Sequence, residues 1–468
     1  MQQRRLALDE TRPVWRSMLT FLIPLMLSNV LQSASATLNS IYLGRLIGVK
    51  ALAAASSFFP IVFFMFAFFI GIASGASVLI GQAYGARDEE RLKAVAGTTL
   101  TVALVAGIIA GGLSWWYLPP LLHLIGTPPD VFADALAYAR ATFLSLPLIF
   151  VYLAYATFVR GTGDSRTPFL SLIFSTALIL LVTPALIRGW FGLPASGILG
   201  AVYANIIANF IGLAFMLIAL AREKNPLALD MSIVRHMNLD LKLLGALLRI
   251  GIPTGVQMVM VSLAEVAVIS LVNRFGSAAT AAYGAVNQIV SYVQFPAISI
   301  GIASSIFGAQ AIGAKRFERL RKIARAGIAL NWIIGAVLIA LVYAFDNQIL
   351  GLFITDRGVI ATAHDLLAIT LWSYLLFGTS AVLSGLMRSS GTVLWPTLLG
   401  IVAIWGVEVP VAYALAPAYG LRGVWTAYPV AFAAGLLFQT TYYYGFWRRK
   451  KLRALLESTA PAAEPLAT

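Results

Sequence analysis

Two acidic residues, Glu265 and Glu408, lie deep within long apolar stretches of the sequence. If such a stretch crosses a membrane, an unpaired charge there costs on the order of 3 kcal/mol or more, so the residue is a candidate for function. An apolar environment disfavours the ionised carboxyl group, which can hold a proton until a cation arrives. One carboxylate cannot serve both cations at once, and this predicts cation exchange. The alternative is a neutral glutamic acid hydrogen-bonded to a neighbouring helix.

Glu408 is followed two residues later by Pro410. Proline lacks a backbone N–H, which leaves a carbonyl oxygen of the preceding turn without its helical partner. A free carbonyl near a carboxylate suits Na⁺ or a polar substrate group, so Na⁺ is possible near Glu265 or Glu408. The alternative is a local kink in which Glu408 is a structural partner. No other metal site is expected, because the chain has no cysteine and three widely separated histidines.

Seven neutral residues in similar stretches can contact a cation through an amide or an aromatic face. They are Asn29, Gln32 and Asn39 in the first stretch, Gln257 about two helical turns before Glu265, and Tyr283, Asn287 and Gln288 in the following stretch. The alternative for each of them is a hydrogen bond between packed helices.

The elements that position these residues must be membrane helices. The chain has 468 residues, of which 60% are hydrophobic and 11% are charged, whereas soluble proteins are about 45–50% apolar and about 25% charged. A soluble globule of this size cannot bury that much apolar surface. The composition therefore excludes a soluble enzyme, a disordered chain and a disulfide scaffold, and it predicts an all-α membrane protein with several spans.

A spanning helix needs about 20 mostly apolar residues. Twelve stretches meet this requirement: 17–41, 53–80, 94–117, 135–158, 167–188, 198–221, 248–273, 281–309, 326–346, 365–387, 395–417 and 423–446. The first is long enough to be a retained helix and not a cleaved signal peptide. No phosphate-binding loop of the G-x-x-x-x-G-K-[ST] type occurs, so we expect that the chain is not powered by ATP. We also expect no cofactor, and no enzymatic activity because a clustered polar constellation is absent.

The basic residues predict the orientation. With the N-terminus inside, 26 of the 33 Lys and Arg residues fall in inner segments and seven in outer ones. This asymmetry predicts a multi-pass plasma membrane protein with both termini in the cytoplasm. It also explains the net charge of +14 without nucleic acid. The absence of cysteine, the expected lack of a targeting peptide and the richness in Ala and Leu indicate a bacterial inner membrane. The basic tail 447–468 is expected to contact anionic membrane lipid.

The two halves of the chain repeat each other. Gln82-Ala83 and Gly85-Ala86 recur 228 positions later as Gln310-Ala311 and Gly313-Ala314, and several other short matches follow in the same order. Because each half holds six spans, the repeats have the same orientation, as in transporters that bind substrate between two lobes. The predicted domains are a cytoplasmic N-tail 1–16, lobes 17–221 and 248–446, a cytoplasmic linker 222–247 and the tail 447–468.

Five motifs carry a resemblance to a known family. They are GRLIGVKALAAAS, GIASGASVLIGQAYGARD, VRGTGDSRTP, IGIPTGVQMVMVSLAEV and LRGVWTAY. Their order over roughly residues 14–446 resembles MATE transporters, the multidrug and toxic compound extrusion proteins. The resemblance implies a V-shaped fold of twelve helices in two parallel six-helix repeats. It also implies export of lipophilic, often cationic compounds in exchange for H⁺ or Na⁺, and Glu265 matches the family's glutamate of span seven.

One position departs from the family pattern. Many bacterial members carry Asp late in the first span, where this chain has Asn39. Asparagine cannot ionise, so a coupling mechanism through an N-lobe carboxylate is in doubt, and H⁺ exchange through Glu265 is favoured.

The alternative function is that of a related flippase of lipid-linked oligosaccharide. Such flippases tend to carry basic residues inside the cleft, and this chain has no Lys or Arg in mid-span. Small organic cations or other xenobiotics are the expected partners, and no obligate protein partner is evident.

Overall fold

Each long apolar stretch folds as an α-helix, because a backbone in hydrocarbon must satisfy its N–H and C=O groups within itself. The computed structural model describes residues 13–48, 50–51, 54–55, 59–190, 195–353 and 356–455, and this part of the chain contains no strand. Residues 1–12 of the predicted N-tail and 456–468 of the predicted basic tail lie outside the described residues.

The first half of the chain supplies six long helices. They are α1 (Val14–Tyr42), α2 (Phe59–Gly85), α3 (Glu89–Leu124), α4 (Phe132–Gly161), α5 (Arg166–Arg188) and α6 (Leu199–Arg222). A π-helix, Leu43–Ile47, continues α1 directly and ends at Gly48, whose N–H donates to the Leu43 carbonyl five residues back.

The second half begins with a short helix in the predicted linker and continues with longer ones. They are α7 (Met231–Arg235), α8 (Leu241–Asn273), α9 (Ser277–Gly313), α10 (Glu318–Ala344), α11 (Asp346–Gly351), α12 (Arg357–Thr370), α13 (Tyr374–Ser389), α14 (Leu394–Ala403) and α15 (Val409–Gly445). A 3₁₀ turn, Leu371–Ser373, joins α12 to α13, and a π-helix, Ile404–Glu408, joins α14 to α15. Helix α8 starts before the predicted span because the Asp240 carboxylate caps it, accepting from the N–H groups of Lys242 and Leu243.

The described helices account for twelve spans. Ten helical segments are long and apolar enough to cross a membrane, and α4, bent by 47° at Ser145, makes eleven. The segment Leu394–Arg449 has 56 residues, or about 84 Å of helix, which is far longer than a bilayer core of about 30 Å. It breaks at Gly420, where φ is 60° and ψ is −141°, a conformation that suits glycine. The break divides it into spans eleven and twelve, as the sequence predicts.

Two compact units make up the described chain. The N-unit comprises residues 27–80 and 89–251, and the C-unit comprises residues 13–26, 81–88 and 252–455. The start of α1 belongs to the C-unit because Met18, Phe21 and Leu22 are buried in its core, where the Phe21 ring meets Phe307 edge to face at 5.7 Å. The predicted lobe boundaries, 17–221 and 248–446, therefore differ from these units in detail and stay a prediction.

Within the N-unit, helices α5 and α6 pack through small residues. The Ser171 and Ser175 hydroxyls donate across the interface to the carbonyls of Gly212 and Ala208, at 2.7 and 2.9 Å. A Cβ at Gly212 would overlap the Ser175 hydroxyl. Small residues with interhelical hydrogen bonds are the usual means of packing helices in a membrane.

Within the C-unit, the ends of α2 and α9 form a contact that follows the internal repeat. Gly85 lies against the Gln310 backbone, and Gly313 lies against the Gln82 backbone, so closely that a Cβ at either glycine would overlap a carbonyl oxygen. The two pairs are related by the offset of 228 residues found in the sequence. Arg87 and Lys315, related by the same offset, both have a φ of 57°. The repeat in sequence is thus a repeat in local structure.

Candidate functional site

The two glutamates of the long apolar stretches lie near each other in the C-unit. Glu265 is on α8 and Glu408 is the last residue of the π-helix, and their carboxyl groups are close enough to interact electrostatically. The Glu408 side chain is only 6% exposed, whereas Glu265 lies exposed on the surface of its unit. A buried acid and an accessible acid therefore share one site.

The π-helix places Glu408 at this site. In a regular helix, residue 410 would donate to the Gly406 carbonyl, but Pro410 has no N–H. The Val409 N–H donates to the Ile404 carbonyl five residues back, so the turn widens and the backbone is irregular at Trp405 and Gly406. Single π turns inside α-helices occur frequently at functional sites. The free carbonyl expected from Pro410, with its role at the site, stays a prediction.

Two hydrogen bonds fix the π-helix and α15 against α8. The Trp405 indole N–H donates to the Met260 carbonyl at 3.0 Å, and the Tyr413 hydroxyl donates to the Ala267 carbonyl at 3.2 Å. Met260 and Ala267 flank Glu265 along α8. The two contacts hold the segment of α8 that carries Glu265 next to the segment that carries Glu408.

Three tyrosines surround the acidic pair. The hydroxyls of Tyr283 on α9 and Tyr428 on α15 lie 2.9 Å apart, and Tyr283 also hydrogen-bonds the Asn287 side chain. Tyr374, the first residue of α13, interacts electrostatically with both glutamates. Five elements thus converge on two carboxyl and three phenol groups. We call Glu265, Glu408, Tyr283, Tyr374 and Tyr428 the acidic cluster.

An aromatic surface adjoins the acidic cluster. The Phe432 ring of α15 lies 5.1 Å from Tyr374 and 5.4 Å from Phe377, measured between ring centroids, and 6.3 Å from Tyr428. Aromatic faces attract cations and also bury apolar surface. A lipophilic cation can use both parts of such a site, the rings for its flat apolar body and a carboxylate for its charge.

The acidic cluster lacks a basic counter-ion among the described residues. The described ion pairs lie elsewhere: Lys50–Asp130, Lys93–Asp230, His364–Asp346 and Arg422–Asp365. In that same part of the chain, no three His, Cys, Asp or Glu side chains are grouped to hold a metal ion. A cation bound here, whether H⁺, Na⁺ or organic, would be neutralised by the two glutamates, and Na⁺ would need hydroxyl or carbonyl oxygens to complete its ligands.

Two further candidates of the C-unit lie outside the acidic cluster. Gln257 packs against α14, where a Cβ at Gly400 would approach its Nε2 to 2.9 Å, so this side chain joins two helices. Gln288 is half-buried on α9, and the structure describes no contact between it and the acidic cluster. Of the candidates on α9, Tyr283 and Asn287 are the two that the fold brings to the glutamates.

The three candidates of the first span belong to the N-unit. Gln32 is exposed on α1, and Asn29 is half-buried. The Asn39 side chain hydrogen-bonds the Tyr138 hydroxyl of α4, and its Oδ1 atom is buried without a hydrogen-bond partner. Asn39 therefore sits in a polar position inside the N-unit, with no acid described beside it.

Tyr374, Tyr428 and Phe432 are the residues of the site that sequence reasoning did not single out. The sequence could have indicated Tyr428, because it is the last residue of the motif LRGVWTAY at the start of the last span. Tyr374 and Phe432 are aromatic residues in a chain with 27 Phe and 17 Tyr. Their type alone does not separate them from the rings that face lipid.

Comparisons with known proteins agree on one family. The MatE family model matches twice, over residues 24–185 and 253–414. A Bacillus subtilis protein described as probable multidrug resistance protein YoeA is 52% identical over 446 residues, which are 95% of this chain and 96% of that protein. Multidrug export protein MepA of Staphylococcus aureus is 23% identical over 430 residues, which are 91% of this chain and 92% of that protein.

Solved structures agree in fold. The outward-facing conformation of a multidrug resistance MATE family transporter superposes with a TM-score of 0.86 at 20% identity, and the match covers 96% of this chain and 100% of that one. A crystal structure of MATE in the straight conformation gives a TM-score of 0.85 at 21% identity over the same shares of both chains. At these identities the likeness shows the fold, which is one of twelve helices in two repeats.

Proposed function

The chain belongs to the MatE family of multi-pass membrane transporters, and from that premise we propose that it exports lipophilic, cationic organic compounds in exchange for H⁺. The relatives named for multidrug resistance and export cover nearly the whole chain, which supports a xenobiotic substrate. The observation that carries the proposal is the acidic cluster, in which two carboxyl groups without a described basic partner adjoin an aromatic surface.

The exchange rests on competition for the glutamates. In the proton-loaded state Glu265 and Glu408 are neutral, since the apolar surroundings disfavour two adjacent negative charges. When an organic cation settles against Tyr374 and Phe432, a carboxyl group ionises to neutralise it, and the proton leaves the site. Reprotonation from the other side of the membrane removes the attraction and releases the cation. One proton thus replaces one positive charge of the substrate.

Alternating access of two lobes completes the cycle. Parallel six-helix repeats that bind substrate near mid-membrane are built to expose it first to one side and then to the other. The internal repeat supports this mechanism. The distribution of Lys and Arg supports a plasma membrane location with both termini in the cytoplasm, so that export runs from the side that carries the linker and the tail.

Two alternatives are separated by particular observations. The irregular backbone at Trp405 and Gly406 beside Glu408 would suit Na⁺, and exchange for Na⁺ is therefore the second candidate for coupling. A flippase of lipid-linked oligosaccharide would need basic residues in its substrate site. No Lys or Arg is described in contact with the acidic cluster, so the flippase function is disfavoured.

The test is transport by the purified full-length chain in proteoliposomes. A fluorescent organic cation is followed under an imposed pH gradient, and then under an imposed Na⁺ gradient. We expect flux driven by the pH gradient, and at least a tenfold lower flux for Glu265→Gln. Glu223→Gln, which changes an exposed glutamate after α6, is the matched control and keeps wild-type flux. Flux driven by Na⁺ alone would move coupling to Na⁺, and no flux under either gradient would contradict the proposal.

A further inference from the structure

The end of the described chain returns to the contact between α2 and α9. After α15, a 3₁₀ turn at Trp447–Arg449 leads into a non-helical segment that reaches Leu455. We call residues 447–455 the C-terminal strap. Its basic side chains Arg448, Arg449, Lys450, Lys451 and Arg453 are exposed, whereas Trp447 is buried and Leu452 and Leu455 are half-buried. The strap is therefore amphipathic and lies with its apolar side against the C-unit, which a freely solvated basic tail would not do.

Two hydrogen bonds and one close contact hold the strap in place. The Trp447 indole N–H donates to the Ser390 hydroxyl at 2.8 Å. The Leu455 N–H donates to the Gln82 Oε1 at 2.8 Å. The Leu455 side chain also lies directly over Gly391, where a Cβ would overlap it, and Gly391 has a φ of +75° that glycine adopts readily. The strap is thus anchored at both ends to the turn that follows α13.

Gln82 connects the strap to the repeat-related contact of α2 and α9. It is 5% exposed, and its Nε2 donates to the Ser389 carbonyl at 2.8 Å. Its own backbone carbonyl is the atom that approaches Gly313. The strap, the end of α13, α2 and α9 therefore meet at one buried amide. Separating α2 from α9 while the strap stays docked would break buried hydrogen bonds, which is costly because the freed groups stay out of water.

We propose that the C-terminal strap is a latch that keeps this end of the C-unit closed, and that its release from Gln82 and Gly391 accompanies opening to the cytoplasm. The proposal rests on the alternating access proposed above, which requires this end to open once per cycle. The strap bonds Gln82 at the end of α2, whose carbonyl lies against Gly313 of α9, so it adds a barrier to their separation, and none of its described contacts is with the acidic cluster. Loosening the strap raises the fraction of molecules that are open at this end.

The absence of cysteine from the chain allows a direct test. Ser389→Cys places a nearly isosteric reporter at a fully buried position, next to Ser390, which the strap contacts. Its reaction with a membrane-impermeant maleimide is timed in inside-out vesicles. Two variants loosen the strap: a chain ending after Arg449, and Leu455→Asn in the full chain. We expect each to speed labelling at least threefold. A chain ending after Leu455 and Arg453→Gln are the controls, and both are expected to react at the rate of the full chain.

Equal labelling rates in the Ser389→Cys chain with and without Leu455→Asn would contradict the proposed latch. So would an equal acceleration by Arg453→Gln, or a reporter that reacts in none of the folded chains although it reacts fully after unfolding. Labelling does not depend on substrate. If the strap variants label faster but no cation flux is found in the same vesicles, the latch stands and the export proposal fails. If cation flux is found and the strap variants do not label faster, the export proposal stands and the latch fails.

Discussion

The hydroxyl groups of Tyr283 and Tyr428 lie 2.9 Å apart and join α9 to α15 next to Glu265 and Glu408. A phenol can donate one hydrogen bond and accept others, so this pair can turn a donor toward an ionised carboxylate. It can also turn a lone pair toward a protonated one. The pair therefore offers both a donor and an acceptor next to the two carboxyl groups.

Tyr428→Phe removes one hydroxyl of this pair and keeps the ring. We expect a loss of about 1 kcal/mol in stability, since the buried Tyr283 loses one of its two hydrogen bonds, and a several-fold lower H⁺-driven flux. Thermal unfolding and proteoliposome flux measure the two effects. Tyr444→Phe, at an exposed tyrosine of the same helix, should leave both unchanged. Wild-type flux in Tyr428→Phe would show that the hydroxyl pair plays no part in coupling.

Asn39 provides a test of which unit carries coupling. Because Asn39 cannot exchange a proton and lies in the N-unit beside Tyr138, Asn39→Ala is expected to keep H⁺-driven flux within about twofold of the wild type. Its thermal stability should fall only modestly, by about 1 kcal/mol for the lost hydrogen bond. Abolished flux in a stably folded Asn39→Ala chain would place the coupling group in the N-unit and contradict the role given to the acidic cluster.

The contact between α2 and α9 predicts equal effects at two positions. Gly85→Ala and Gly313→Ala each add a methyl group that overlaps a backbone carbonyl, which a side-chain rotation cannot relieve. Overpacking of this kind costs about 1–3 kcal/mol, so both variants should unfold at lower temperature. Gly284→Ala, in the open space along α9, is the matched control and should be neutral or slightly stabilising. A tolerated alanine at Gly313 would mean that the helices separate more easily than their packing indicates.

The stability of the folded chain is expected to depend on pH through Asp230 in the predicted linker. Burial raises the pKa of Asp230, but hydrogen bonds from the Ile233 N–H and from Lys93 outweigh it and lower the pKa overall. A lowered pKa stabilises the folded chain above the unfolded value of about 3.9 and loses this effect as the pH falls below it. Asp230→Asn should therefore lower the thermal stability at pH 7, by less than about 1 kcal/mol because the Asp230 side chain is 48% exposed and water screens the pair. The difference should shrink at pH 3, below the unfolded value, and one that grows on acidification would contradict the assignment.

The spans were predictable from sequence because each is a long apolar run, and even the break at Gly420 falls between two such runs. A disturbed helix near Glu408 could be expected from Pro410, because a missing N–H has a local consequence, but its form as a π-helix could not. The meeting of Glu265 with Glu408 could not be predicted, because the sequence does not say which faces of α8 and the π-helix turn toward each other. Tyr374 was not predicted either, because the sequence does not show that the start of α13 faces the two glutamates. Gln257 lies about two turns before Glu265 on nearly the same face, yet it packs on Gly400 of α14, which is the alternative of a contact between helices.

The central claim is that cation binding displaces protons from the acidic cluster. The direct measurement is proton release by the purified chain in a weakly buffered solution with a pH indicator, as a lipophilic organic cation is added. The account predicts release in the wild type and no release in the double variant Glu265→Gln with Glu408→Gln, while Glu223→Gln behaves as the wild type. Undiminished proton release by the double variant would contradict the claim, and so would saturating cation binding by the wild type with no proton released.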